Sequence, residues 1–399
     1  MNPRDPDAIQ ALADLYFREG SWERAFKHYS ILIDLCPLHP SLDEYEISLH
    51  YGVSAVQLQN YEEGYKALLV AKNINASGFQ LNFNLGYIEF LRKNYEKASI
   101  YLNRAKDSQP DHIQNTRLLG ISLYKIKKYN DASIFLEKAT EYEPDDKESL
   151  FALAHCYSEL GNRDKALLIF THLRPDGKLG GKASLMAGSI NLNQKQYNKA
   201  IMDFEIGLRH EKLDLDTRSE LLYRLAIAYV QLQEIGRALN LLREIEGINP
   251  NYKDIKEKIT KFQELSSNKN LQVFLIAPTS DFVTLCKTIT MEFFPQSRAK
   301  VIDITIIKNQ YTDILAEVNT KKWEDLILFR FIRSTGTVGE LVLRELYSRC
   351  KELRSGRAFC IHAGDFSDGA KQFVEARLID LIPKKDLIRL FERLSLKRS

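Results

Sequence analysis

A chain of 399 residues with 44% apolar and 27% charged residues is long enough for two or more packed domains and too apolar for a disordered polymer. The formal charge of +3 is unevenly divided: residues 271–399 hold 21 Lys and Arg against 16 Asp and Glu, about +5, leaving about −2 on the rest. A mildly basic C-terminal part fits nucleic acid, phosphate or an acidic partner, and fits a solvated surface as well.

The polar N-terminus, MNPRDPDAIQ, is followed by no apolar run that could serve as a signal or membrane span. A cytoplasmic protein is the expectation; a periplasmic or membrane-associated one is the alternative if an anchor is missing from this chain. Cys36, Cys156, Cys286, Cys350 and Cys360 are odd in number and singly spread. They form neither a disulfide framework nor a zinc spacing, so buried thiols in a reducing compartment are expected. No cofactor is expected.

In chain order, one pattern recurs seven times over the first two thirds. LGYIEFLRKNYEKASIYLNRAKDSQP from Leu85, LGISLYKIKKYNDASIFLEKATEYEP from Leu119 and LAHCYSELGNRDKALLIFTHLRP from Leu153 start 34 residues apart. A small residue recurs in the first predicted helix of each unit: Ala13, Gly52, Gly86, Gly120, Ala154, Gly188 and Ala226. Another opens the second: Ala25, Gly64, Ala98, Ala132, Ala166, Ala200 and Ala238. Four residues on, a large one fills the seam: Tyr29, Leu68, Leu102, Leu136, Phe170, Phe204 and Leu242. Pro37, Pro110, Pro144, Pro175 and Pro250 close units, where a helix cannot continue. Insertions near residues 40–45 and 210–216 are expected in loops.

This pattern resembles the tetratricopeptide repeat, over residues 1–250 as seven repeats. Residues 251–265 are expected to form the amphipathic helix that caps such arrays, and 266–270 a linker. The resemblance implies an all-α superhelix with a protein or peptide ligand in its concave groove. Inner-helix positions carried over are Phe83, Tyr87 and Phe90; Arg117, Ile121 and Tyr124; Phe151, His155 and Ser158; and Tyr223, Ile227 and Val230. The Lys and Asn that clamp a C-terminal carboxylate are missing. An extended or helical segment held in side-chain pockets is therefore expected.

From residue 271 the period stops. LQVFLIAP reads as a buried strand, DFVTLCKTITMEFF as a helix, and AKVIDITII and DLILFRFI as strands. VGELVLRELYSRCKEL, RAFCIHAG, SDGAKQFVEA, LIDLI and KKDLIRLFERL then alternate helix, strand, helix, strand and helix. A small α/β domain over 271–399 follows.

Residues 338–391 resemble the C-terminal half of an Mrr-type restriction endonuclease domain, through the Val-Gly turn, the apolar strand ending in small residues, and Asp365-Phe366 with Ala370 opening a helix. The resemblance implies an acidic residue on one strand facing Gln/Glu-x-Lys on the next, together holding a divalent metal. Here the second strand reads Leu328-Phe329-Arg330-Phe331, and Asp303 and Asp325 are the only acids read near it. Catalysis by the family mechanism is not expected. Arg330 and Arg333 read either as solvent-facing cations at a strand end or as candidate phosphate contacts, the first being preferred. His362 near Asp365 lacks a nucleophile named by the sequence.

The first reading is a non-enzymatic interaction scaffold with the nuclease-like domain as a second docking or regulatory module. A second is nucleic-acid binding or processing through the basic domain. A third is assembly of a bacterial envelope or flagellar structure, such as a periplasmic collar, by analogy of fold.

Overall fold

The computed structural model describes residues 5–307, 311–320 and 323–396. The described residues contain seven consecutive antiparallel helix pairs. They are α1 (Pro6–Arg18) with α2 (Trp22–Leu35), α3 (Glu44–Gln57) with α4 (Tyr61–Ile74), and α5 (Phe79–Leu91) with α6 (Tyr95–Ser108). Next come α7 (Ile113–Lys125) with α8 (Tyr129–Tyr142), α9 (Lys147–Glu159) with α10 (Arg163–Leu173), and α11 (Gly180–Asn193) with α12 (Tyr197–Leu208). The last pair is α13 (Leu215–Gln231) with α14 (Ile235–Ile248). The first insertion is taken up by a 3₁₀ turn at Cys36–Leu38 and the loop after it.

The small-and-large code accounts for the pairing. Every seam residue from Tyr29 to Leu242 is buried, as are the alanines at the small positions. A Cβ on Gly86 would stand 2.7 Å from Leu102 Cγ, so only a residue without a side chain lets the two helices meet there. Each pair is joined by one residue in the left-handed region: Gly20, Gln59, Lys93, Lys127, Gly161, Lys195 and Gln233, with φ between 61 and 83°. That conformation ends the first helix and reverses the chain.

The chain divides into two compact units, residues 1–221 and 222–399. In the second, α15 (Ile255–Ser267) packs on α14. The stretch expected as a linker is largely helical, and LQVFLIAP is not a strand: its first six residues lie in α16 (Lys269–Ile276), separated from α15 by the single residue Asn268. Asn268 caps α16, its side chain accepting from Leu271 N at 2.9 Å, and Leu271 and Phe274 are buried. A short apolar run suits either period, and here the cap decides. Then follow α17 (Thr279–Glu292), β1 (Arg298–Ile307), β2 (Tyr311–Asn319), β3 (Glu324–Ile332), β4 (Thr337–Val338), α18 (Glu340–Leu353), β5 (Arg357–His362), β6 (Asp365–Phe366), α19 (Asp368–Val374), β7 (Ile379–Ile382) and α20 (Lys384–Leu396).

The five-stranded sheet runs β1-β2-β3-β5-β7, antiparallel through β3 and parallel from β3 to β7. Strands β4 and β6 pair separately, in parallel. One face of the sheet carries Phe329 and Phe359, which stack 5.3 Å apart against Phe293. The other carries Leu328, Ala358 and Cys360 beneath Leu343 and Leu346 of α18. Four of the five cysteines are buried and Cys36 is half-buried. Burial pushes the thiols of Cys156 and Cys360 up to about 12, so neither is a reactive thiolate at neutral pH.

Candidate functional site

Along the inner helices of repeats three to five, rings gather. Phe79, Phe83 and Tyr87 recur at intervals of four on α5 and form a near-parallel row, with centroids 5.3 and 6.4 Å apart. Phe79 escaped the sequence reading, although that spacing identifies it. Tyr61 meets Tyr87 at 6.3 Å and Phe90 meets Tyr95 at 5.7 Å. Tyr124 and Tyr129 stand 5.4 and 6.0 Å from the ring of His155, whose pKa burial lowers. Phe151 packs on Phe170 at 5.5 Å. Phe83, Tyr87, Phe90, Tyr124 and Phe151 all pack against one apolar core and remain half-buried.

Three expected groove residues have other duties. Ile121 is enclosed in the core and offers no surface. Arg117 reaches into the next repeat, its Nε donating to Asp146 Oδ2 at 2.5 Å and a second nitrogen to Glu148 Oε2 at 3.1 Å. Asp146 in turn caps α9, accepting from the backbone N–H of Glu148 and the hydroxyl of Ser149. Lys147 with Asp176 and Arg174 with Asp203 tie later repeats over the same 29-residue separation. Tyr223 donates to Asp254 at 2.9 Å, and Lys253 stands 4.5 Å over its ring, so the segment before α15 engages it. Ile227, on the same helix, is half-buried.

In the C-terminal sheet the strand preceding β3 is β2, absent from the sequence reading. It brings Asp313 directly opposite Arg330. The guanidinium donates from Nε to Oδ1 at 2.8 Å and from a terminal nitrogen to Oδ2 at 2.7 Å, a two-pronged fork. The two side chains are 1% and 3% exposed, and the Tyr311 ring lies 3.6 Å from the guanidinium carbon. Burial disfavours the charge, but the Asp313 hydrogen bonds and charge outweigh it and hold the Arg330 pKa above its usual value. Arg330 is therefore a buried strut, not a solvent-facing phosphate contact. Arg333 donates to the backbone carbonyls of Leu275 and Ala277, so its guanidinium pins α16 to the sheet end.

These residues do not fit the divalent metal that the nuclease resemblance implies. Both oxygens of Asp313 are engaged by Arg330, Asp303 is exposed, and Asp325 accepts from the neighbouring Leu326 N–H at 2.8 Å. Among the described residues no group of three His, Cys, Asp or Glu side chains is arranged to hold a metal ion. The structure also brings Ser334 within 2.8 Å of His362 Nε2. His362 Nδ1 accepts from Gly364 N–H at 3.1 Å, so Nε2 carries the proton and donates to the serine. That tautomer holds a loop and does not activate a nucleophile.

Comparison with known proteins agrees with this architecture. Residues 51–113 match a tetratricopeptide repeat model, residues 129–205 the model of subunit 3 of the anaphase-promoting complex, or cyclosome, and residues 280–391 an Mrr-type restriction endonuclease model. No curated protein matches. Similar solved structures include a tetratricopeptide repeat protein from Parabacteroides merdae, at 15% identity over 65% of this chain and 98% of that one, TM-score 0.36. The C-terminal part of a repeat-containing protein from Cytophaga hutchinsonii matches at 16% over 62% and 98%, TM-score 0.46. YrrB, described as having an unusual peptide-binding site, matches at 15% over 50% and 100%, TM-score 0.41. The chain is a tetratricopeptide-repeat solenoid followed by a small α/β domain of restriction-endonuclease-like type. Among the described residues no helix is long and apolar enough to cross a membrane.

Proposed function

We propose that the protein is an interaction scaffold: its repeat groove holds an apolar helical or extended segment of a partner protein, and its C-terminal domain is a second, non-catalytic docking module. The observation that carries this reading is the set of half-buried rings on α5, α7 and α9. Each is fixed by core packing on one side, so it engages a ligand at little cost in side-chain entropy. Arg117 is committed to Asp146 and Glu148, which favours an apolar segment over an acidic tail.

Peptides selected from a random library against the full chain are expected to lose at least tenfold in affinity for the Phe83→Ala/Tyr87→Ala/Tyr124→Ala variant. Fluorescence anisotropy reads the affinity, and circular dichroism checks that the array still folds. Unchanged affinity in a folded variant would remove the groove from the reading.

The Asp313–Arg330 fork supports the non-catalytic assignment, because the carboxylate that a metal would need is already bound to a fixed cation. Plasmid DNA incubated with the full chain and magnesium or manganese is expected to stay intact. Chelator-sensitive cleavage would make the protein an enzyme.

A further inference from the structure

A cleft of about 430 Å³ opens between the end of α18, the start of β5 and the α19–β7 turn. Lys351, Arg354, Arg357 and Arg377 are among its described lining residues, with Tyr347 and Leu378; the nearest carboxylates are those of Asp325, which lies against Gly356, and Asp380, which pairs with Arg357. We propose that this cleft binds a compact phosphate-bearing ligand, of the size of pyrophosphate or a nucleotide.

Among the described residues, Arg357 is the one of the four cations in an ion pair, with Asp380 at 2.5 Å. Lys351 and Arg354 make no ion pair among the described residues. Arg377 donates to the Phe373 carbonyl and lies 3.9 Å over the Phe373 ring. A like-charged cluster in a concave wall raises the local positive potential and concentrates an anion. Part of the cluster is also held ready: Lys351 stands 4.4 Å and Arg377 5.3 Å from the Tyr347 ring centre. Little rotamer freedom then remains to be lost when a phosphate arrives, and an arginine fork matches two phosphate oxygens at once.

The cations could instead serve the carbonyl end of α18, but that end is already served. Arg354, in the left-handed conformation, donates its N–H to Lys351 O, and Ser355 N–H donates to Cys350 O. The cleft has the dimensions of a small-molecule site, and its cations converge where a polymer would need them strung along a track. Leu378, 70% exposed beside it, offers an apolar platform to a base or similar flat group. The cleft adjoins the start of β3, through the hydrogen bond of Gly356 N–H to Leu326 O, whereas the Asp313–Arg330 fork lies toward the other end of that strand.

The test is isothermal titration of the full chain, without metal, with pyrophosphate and with a nucleoside triphosphate, alongside anisotropy of a labelled 20-base-pair DNA across a salt series. Saturable one-to-one binding of at least one small anion is expected. The Lys351→Ala/Arg354→Ala variant should weaken it tenfold or more, while Arg349→Ala, which removes the partner of Glu352 outside the cleft, should leave it unchanged. Matching thermal melts establish that all forms are folded. Absence of saturable binding by both anions, or equal loss in the control, would overturn the proposal. So would DNA binding that the cleft variant abolishes and the small anions fail to compete.

Discussion

At the scale of single residues, the Asp313–Arg330 pair separates shape from chemistry. A carboxylate and a guanidinium enclosed this completely owe their charges to each other, since neither meets water. Arg330→Ala leaves the Asp313 carboxyl buried in an apolar layer without its cation. It is expected to cost about 3–5 kcal/mol, read as a drop in the melting transition of the C-terminal unit. Arg330→Met combined with Asp313→Leu removes both charges and should recover most of that loss. Full recovery would mean that the fork specifies this sheet more than it stabilises it. Arg330 was legible in the sequence as the wrong residue for a metal site, but its burial was not, because its partner sits on a strand the pattern did not reveal.

At the scale of elements, what was legible followed periodicity. The repeat helices were readable because a small residue and the large one it admits recur in fixed register, and each pairing is local. The rings on the inner helices recur in the same register, although Arg117, Ile121 and Tyr223 are drawn into packing or polar contacts that no single helix announces. Strand β2 was missed because it lies in the middle of the sheet with both faces covered, so Thr312 and Asp313 are buried beside Ile314 and no alternation survives. The turn leading into α11 offers a test of the ties between repeats. Asp176 accepts from Lys147 and from the N–H groups of Lys178 and Leu179, which lower its pKa to about 2. A carboxylate depressed in the folded state contributes stability above its unfolded pKa near 4, and that contribution is lost as pH falls toward 2. Thermal stability of the repeat unit should therefore drop over that window, and Asp176→Asn should flatten the drop while lowering stability at pH 7. An unchanged pH profile in the variant would show that the turn holds without its charge.

At the scale of the whole molecule, the division of the chain follows contacts and not the change of repeat pattern. The second unit starts at Leu222, within α13, and takes in the rest of the seventh repeat, the helix after it and the α/β domain. Within it Gln272 donates to Gln233 O at 2.6 Å and Lys384 pairs with Glu264 at 2.6 Å. A fragment starting at residue 215, which keeps α13 whole, is expected to melt cooperatively. One starting at residue 266 should melt several degrees lower or fail to fold, as calorimetry of the two fragments would reveal. Equal melting temperatures would make the last repeat dispensable to the domain.

The left-handed turn residues Gln59, Lys93, Lys127, Gly161 and Lys195 recur at a constant 34-residue step. Excising the stretch from one of them to the next, or copying it, rejoins the same backbone conformation to the same seam. Unequal crossing-over in the coding sequence can thus lengthen or shorten the array one helix pair at a time without creating a mismatched junction. With the proposed groove as the binding surface, partner range is then open to change by gene rearrangement as well as by point substitution.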